Sequence, residues 1–549
     1  MLKKYKLLFL SLIILSTSLE IASCTAIGKI VAESMTENTN GLKNVALQAF
    51  YVNNLYPNAT KTTTLEYFDK GWEEGKSAVT VTFMKKVGMG FYKINGEVLL
   101  NDKPMKYLAN GAYMSFLDEF ENKVQNIKIK TKSGDETFIN VEAPKPVRLL
   151  SVNGESENIQ LDLKKDLVLE FEEFKNLEPN EKIKVSFLMD VLGAREFVDI
   201  GIFKPTKKIK IPYQAFNNLS VTASMSSVAK FNAGKNFIRV ERFKVKKEKA
   251  PIVPVSQSLS MSWSTMPVSL INDSNPNEGI NIKNDSKEAP FNYHFNKPNA
   301  FYGKPISKIK KLALTSLSVR GTLRNVQTSV SQSTVGNITT TTTTTTTRQF
   351  PTLPDAFWDQ LLNNTYKDLV KILKENNIEL IPVEKVLKSK EYEFMDNLDE
   401  ENNKYKVSKT YKGLKDLMPS FGSILKQFSF TLPTDRPEIK LINELNVDGL
   451  LGLSFEVNID PKSELIKLNP SMLIKITGGN NGYAVGPLTY MTGSISGAGA
   501  PFSEKDFSNI NALNKITRKD EVMSTFKTAI KDMKNKEREL GYNDIWNLQ

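Results

Sequence analysis

One cysteine, Cys24, and one histidine, His294, occur in 549 residues. Those two counts remove the cysteine-histidine dyad, every histidine-containing triad and most transition-metal sites, because each needs thiolates or imidazoles that the chain cannot supply. With a single cysteine, a disulfide within the chain is excluded. Also lacking are an Asp-x-Asp-x-Asp-Gly calcium loop, a Gly-x-x-x-x-Gly-Lys phosphate loop and a Gly-x-Ser-x-Gly nucleophile elbow. Carboxylate-only calcium or magnesium sites survive these counts, and no cofactor is expected. The apolar run near the start, Leu7 to Leu15, is too short to span a bilayer once Ser16, Thr17, Ser18 and Glu20 interrupt it.

What that run does fit is a secretory address. Met1 to Lys6 carries Lys3, Lys4 and Lys6, the apolar stretch follows, and Ile21-Ala-Ser-Cys24 closes it with small residues. The segment resembles a bacterial lipoprotein signal of the lipobox type. In that family an aliphatic residue, two small residues and a cysteine are cut so that the cysteine becomes residue one and carries the lipids. The resemblance implies cleavage between Ser23 and Cys24, lipidation (palmitate among the acyl chains) at Cys24, and removal of residues 1–23. Ile21 in place of leucine and Glu20 before it depart from the strictest pattern. Thr25 is not the aspartate that retains many such proteins at the inner membrane, so the expected place is the cell envelope, on the outer membrane. Acyl chains contribute about 0.8 kcal/mol per buried CH2, and two or more make the anchor stable.

Lys and Arg number 73 against 61 acidic residues, and the net charge of +12 is spread along the chain rather than gathered in one block. This reads first as a solvated lysine-rich surface and second as attraction to anionic glycan or lipid headgroups. Nucleic acid is not an expected partner. The expected partners are the membrane, through the N-terminal lipid, and envelope proteins, further copies of the chain among them.

With 40% apolar residues and this length, several cored domains are expected. Residues 24–42, rich in Thr, Asn, Glu and Gly, read as a tether. Residues 43–143 read as a β-rich domain, with runs such as Ala78-Val-Thr-Val-Thr-Phe83 and a hairpin signal at Asn95-Gly96. Ala143-Pro-Lys-Pro146 marks a boundary. Residues 147–245 alternate at period two between turns, the pattern of an Ig-like β-sandwich, although the closing run Phe237 to Val245 mixes charge into both faces. Residues 246–305, rich in Ser, Asn, Pro and Asp, read as a linker. Trp263 and Phe291 to Phe295 are its candidate docking points. His294, inside that aromatic cluster, reads as a packed or half-exposed ring.

Residues 306–549 carry strand Lys311 to Val319, a helix from Pro354-Asp355 to Asn376-Asn377, strand Ile378 to Val383, a helix after Thr434-Asp-Arg-Pro437, strand Gly449 to Ile459, further strands and a closing helix Val522 to Leu540. The fold class is therefore multidomain α+β: two N-terminal β-rich, sandwich-like domains, then an α/β domain with a mixed sheet and a Thr-rich inserted hairpin or loop over residues 320–350. Ile338 precedes nine consecutive threonines, Thr339 to Thr347. As low-complexity sequence this insertion reads as a loop; its β-branched residues favour a two-stranded ribbon. An assembling or membrane-inserting hairpin is the sharper reading, but a threonine run lacks the lipid-facing aliphatics and aromatic girdle of a membrane barrel.

At Asn443-Glu-Leu-Asn-Val-Asp-Gly-Leu-Leu-Gly-Leu453, helix, short turn, aspartate, small residue and buried strand follow in order. This resembles the α/β domain of the curli-secretion-channel lipoproteins and of the N-terminal domain of the Tol-Pal translocation protein. The resemblance implies envelope assembly rather than catalysis, covers about residues 308 to 545 in element order, and departs at the long insertion. The leading expectation is thus a lipid-anchored envelope protein that is not an enzyme and has a binding, assembly or structural role. The alternative is a hydrolase acting on cell-wall or surface glycan through two carboxylates. Its candidate acids are Asp118, Glu119 and Glu121 in one cluster and Glu170, Glu172 and Glu173 in another.

Overall fold

The computed structural model describes residues 34–53, 76–88, 90–108, 110–117, 119–179, 181–191, 194–218, 220–221, 236–271, 279–284, 291–395, 405–417, 435–461, 465–479 and 487–549. Over these residues the protein is mostly β, in several sheets, with helices concentrated toward the C-terminus. Period-two alternation makes the strands: in Phe291–Lys297 residues 291, 293, 295 and 297 are buried while 292, 294 and 296 face out.

The largest sheet has twelve strands and crosses the Ala143 to Pro146 break. It takes Val45–Asn53 and Ser77–Lys85 from before the break and Ile183–Val191 and Asn236–Lys247 from after it. Between the two groups lies Val255–Leu270, parallel to Val45–Asn53 and antiparallel to Asn236–Lys247. The expectation of a linker over 246–305 is therefore corrected: this segment holds a sixteen-residue strand, then Ile280–Asn284 and Phe291–Lys297 in a second, eight-stranded sheet.

The reason lies in the serines. Every second residue from Ser256 to Ser264 is serine, and all five are buried. Their hydroxyls donate to Glu248 O, to the Glu248 carboxylate, to Glu142 O at 2.6 Å and to Lys145 O, while Ser264 Oγ accepts from Leu149 N. Backbone from 142 to 148, interrupted by Pro144 and Pro146, joins no ladder, and this row of short hydroxyls supplies partners that buried carbonyls require. Charges on Asn236–Lys247 close the same seam. Arg242 donates to Pro146 O and Lys175 O and pairs with Glu181; Lys244 reaches Glu142 and Glu178. The mixed faces of that strand are buried on both sides as far as Arg242, with Arg239 paired to Glu241 and lying 4.3 Å over the Trp263 ring.

Three smaller expectations also change. Thr36–Thr39 is a strand parallel to Phe91–Ile94, so the tether's last part is docked. Asn95-Gly96 closes no hairpin: Phe91–Ile94 belongs to the twelve-stranded sheet and Gly96–Leu100 to a four-stranded one. There a side chain on Gly96 would meet the Lys130 carbonyl, so the glycine serves a sheet crossing, not a turn. The expected strand Ile378 to Val383 shortens to Glu379–Leu380, because Pro382 starts the helix Val383–Leu387.

In the eight-stranded sheet, Lys311–Thr322 lies parallel to Gly449–Ile459, which pairs onward with Leu468–Gly478 and then Leu488–Gly497. Helices Asp355–Glu375 and Lys519–Glu539 form beside it as their 3.6-residue spacing requires, burying Trp358, Leu361, Leu362, Leu369 and Phe526. Asn446, left-handed at φ +49°, ends Pro437–Leu445. Segment 299–303 joins the two large sheets. Phe301 lies against Gly201 with its ring 5.0 Å from Phe203, and the Tyr302 hydroxyl bonds Asp199, which pairs with Lys184.

Candidate functional site

The insertion is a ribbon. Arg324–Val335 and Ile338–Gln349 pair antiparallel without a register shift, from Arg324 opposite Gln349 to Val335 opposite Ile338. β-branched residues stiffen each strand, and hydroxyls meet across the ribbon at Thr328 with Thr345 (3.3 Å) and Thr334 with Thr339 (3.1 Å). The two-residue turn has Gly336 first, at φ +65°, the position at which a type II′ hairpin calls for glycine. At about 3.4 Å per residue, twelve-residue strands reach roughly 40 Å. Nearly every residue is exposed; Val335 and Ile338 at the tip are 81% and 72% accessible.

Its root, by contrast, is fixed. Strand Lys311–Thr322 runs on through Leu323, whose N–H donates to Tyr405 O at 2.7 Å and whose carbonyl accepts from Phe350 N at 2.8 Å. The Arg324 guanidinium lies 4.4 Å over the Tyr405 ring. Phe350 is 1% exposed, among Phe502 at 4.9 Å, Phe507 at 5.7 Å and Trp358 at 6.3 Å. One turn of the pleat below, Arg320 bridges Asp416 and Glu456, and Ser318 donates to Asp416 at 3.1 Å. A stiff body thus carries a ribbon with no charged residue between Arg324 and Arg348. Among the described residues, no strand pairs with either of its edges.

Ser23 and Cys24 lie outside the described residues. Of the candidate acids, Asp118 does too, and Glu119 is exposed. Glu121 accepts from Gln125 at 3.0 Å and pairs with Lys123; Gln125 first and Lys123 second hold its carboxyl below the ordinary value. Glu170 is lowered by Lys208 and Ser151, Glu173 pairs with Lys207, and Glu172 is exposed. Glu121, Glu170 and Glu173 thus have lysine, amide or hydroxyl partners. His294 is exposed, with Nε2 2.9 Å from Asn281 Oδ1. Among the described residues, no group of three His, Cys, Asp or Glu side chains could hold a metal ion, and no helix is long and apolar enough to cross a membrane.

No family model matches the chain, and no curated protein matches it. The turn at Asn443 to Leu453 can still be read physically. The Asp448 carboxylate accepts from the backbone N–H of Lys310 (2.7 Å) and Lys311 (3.0 Å) and pairs with Lys304, so it holds the start of the strand that becomes the ribbon. Burial pushes its pKa up, but Lys304 and the two backbone donors outweigh burial and leave it below the usual 3.8. A depressed pKa gives stability that is present above the unfolded value and lost as pH falls through the folded one. Asp448→Asn is expected to cost about 1.5–3 kcal/mol at pH 7, the worth of charge-assisted hydrogen bonds. The difference from wild type should shrink once the pH is taken below 3.8. Urea unfolding at both pH values checks this; an equal gap at each would refute it.

Sequence reading missed the serine seam and a buried ion pair. Lys297 and Glu537 are fully covered, 3.3 Å apart. Both were findable: Ser256 to Ser264 repeats at period two, and Lys297 continues the inward series of Phe291, Tyr293 and Phe295.

Proposed function

We propose that this chain is a lipid-anchored cell-envelope protein with a non-catalytic assembly role, and that its ribbon is the assembling part. Cys24, exposed by cleavage after Ser23, carries the lipid, and the outer membrane is the site. Segments 43–143 and 147–245, which share the twelve-stranded sheet, serve as its spacing or binding part. Segment 306–549 is an α/β domain of the kind that the turn at Asn443 to Leu453 resembles. The observation that carries the reading is the ribbon's pair of bare edges on a fixed root. Exposed edges template strand addition, and proteins that must stay apart blunt them with lysine, proline or bulges; this ribbon has none of the three.

Two measurements on detergent-solubilised, full-length protein test it together. Radiolabelled palmitate should enter wild type and not Cys24→Ala; equal labelling removes the anchor. Native mass should show oligomers that vanish when residues 325–347 are replaced by a short turn; an unchanged oligomeric state removes the ribbon as the assembling part.

A further inference from the structure

The ribbon pairs along its whole length, and its register is fixed at its two ends. At the tip the Gly336 turn closes Val335 onto Ile338; at the root Leu323, Arg324 and Phe350 are locked into the body. Along Thr339 to Thr347 no position differs from the position two residues on.

Hydrogen-bonded and non-bonded pairs alternate in an antiparallel ladder. Counting from the closing pair, Thr339, Thr341, Thr343, Thr345 and Thr347 turn their N–H and C=O away from the hairpin on one strand. Val326, Thr328, Val330, Gln332 and Thr334 do so on the other. Two ribbons projecting in the same direction can therefore stand side by side, the second strand of one against the first strand of its neighbour, and the antiparallel alternation simply continues. The edges that meet are different ones, so the contact is heterologous and can repeat from copy to copy.

A second copy fits this edge better than a charged or proline-rich segment, because both edges are uncharged and rich in β-branched residues. What the edge does not provide is a preferred offset. An offset of one residue sets outward-turned N–H and C=O groups of one edge against inward-turned ones of the other and loses the ladder bonds, so it is disfavoured. An offset of two residues, about 7 Å, sets the neighbour against an identical row of threonines and loses only the pairs at the ribbon's end. No charge lies along the edge to rank the offsets. Resting on the assembly reading above, we infer that copies of this chain pair ribbon to ribbon in several registers two residues apart. The stagger of neighbours, which sets how many strands can close a ring, is then left open by the ribbon itself.

The test uses full-length lipidated protein in detergent, with cysteines placed on exposed ribbon positions. One preparation carries Thr343→Cys. A second carries Thr328→Cys, Val330→Cys or Gln332→Cys, and a control carries Ser331→Cys, on the opposite face. Outward residues of paired neighbours would have Cα atoms roughly 5.5 Å apart, within disulfide reach. After mild oxidation of each mixture, all three partners should cross-link to Thr343→Cys in comparable yield, and Ser331→Cys should not. Cross-linking to one partner alone would show a single register and overturn the inference while leaving assembly standing. Cross-linking to none, with monomers by native mass, would overturn both.

Discussion

Glu537→Ala is expected to cost about 3–5 kcal/mol, the usual result of stranding a buried charge. Lys297 is 2% exposed overall, and its ammonium has three partners: Lys304 O at 2.6 Å, Tyr490 O at 3.1 Å and Glu537 at 3.3 Å. Glu537 in turn accepts the Ile306 N–H with both carboxylate oxygens, at 3.1 and 3.0 Å. Burial pushes the Lys297 pKa down and the Glu537 pKa up, and each partner's charge opposes the other's shift. Deleting the carboxylate leaves a cation among carbonyls and an unbonded N–H at the entrance to the strand that feeds the ribbon. The double variant Lys297→Met, Glu537→Leu should recover part of the loss, since apolar groups of similar volume replace buried ion pairs at little cost. Recovery stays incomplete, because the Ile306 N–H remains unsatisfied at about 1–3 kcal/mol. Urea unfolding followed by tryptophan fluorescence orders the three proteins. A single variant within about 1 kcal/mol of wild type would mean that water or a neighbouring group replaces the carboxylate.

That pair also marks how far the fold could be read from residues alone. Alternation located Ser77–Lys85 and helical spacing located Asp355–Glu375, because the series Val79, Val81 and Phe83 and the stripe Trp358, Leu361, Leu362 and Leu369 are apolar and period decides the element. The readings that failed share a cause. Ser256 to Ser264 has a clear period, but one face is buried by hydrogen bonding to backbone carbonyls across more than a hundred residues of sequence, which composition scores as loop. Asn95-Gly96 has hairpin chemistry, yet its glycine is needed where two sheets diverge. Tertiary partners settled both, and no local pattern contains them. The ribbon was half legible: β-branching favours extension, but whether the threonines pair depends on the turn at Gly336 and on the root, which only the assembled sheet fixes.

Phe350→Ala should loosen that root, at about 3–5 kcal/mol for a fully buried aromatic whose cavity cannot collapse. Its ring is enclosed by Phe502, Phe507 and Trp358, which come from two separate stretches of chain and are held by their own helices and turns. The space it leaves therefore stays open. Gly321→Ala approaches the same joint from the other side. A Cβ there would sit 1.6 Å from the Val457 carbonyl oxygen, so Lys311–Thr322 would have to part from Gly449–Ile459 just below the ribbon. Both variants leave every ribbon residue unchanged. Hydrogen exchange should thus accelerate at Ser318 to Leu323 and at Phe350 in each, and assembly should weaken although the edges are intact. Oligomers as stable as wild type in both variants would show that the ribbon works independently of its root, and the rigid mounting would then have no part in assembly.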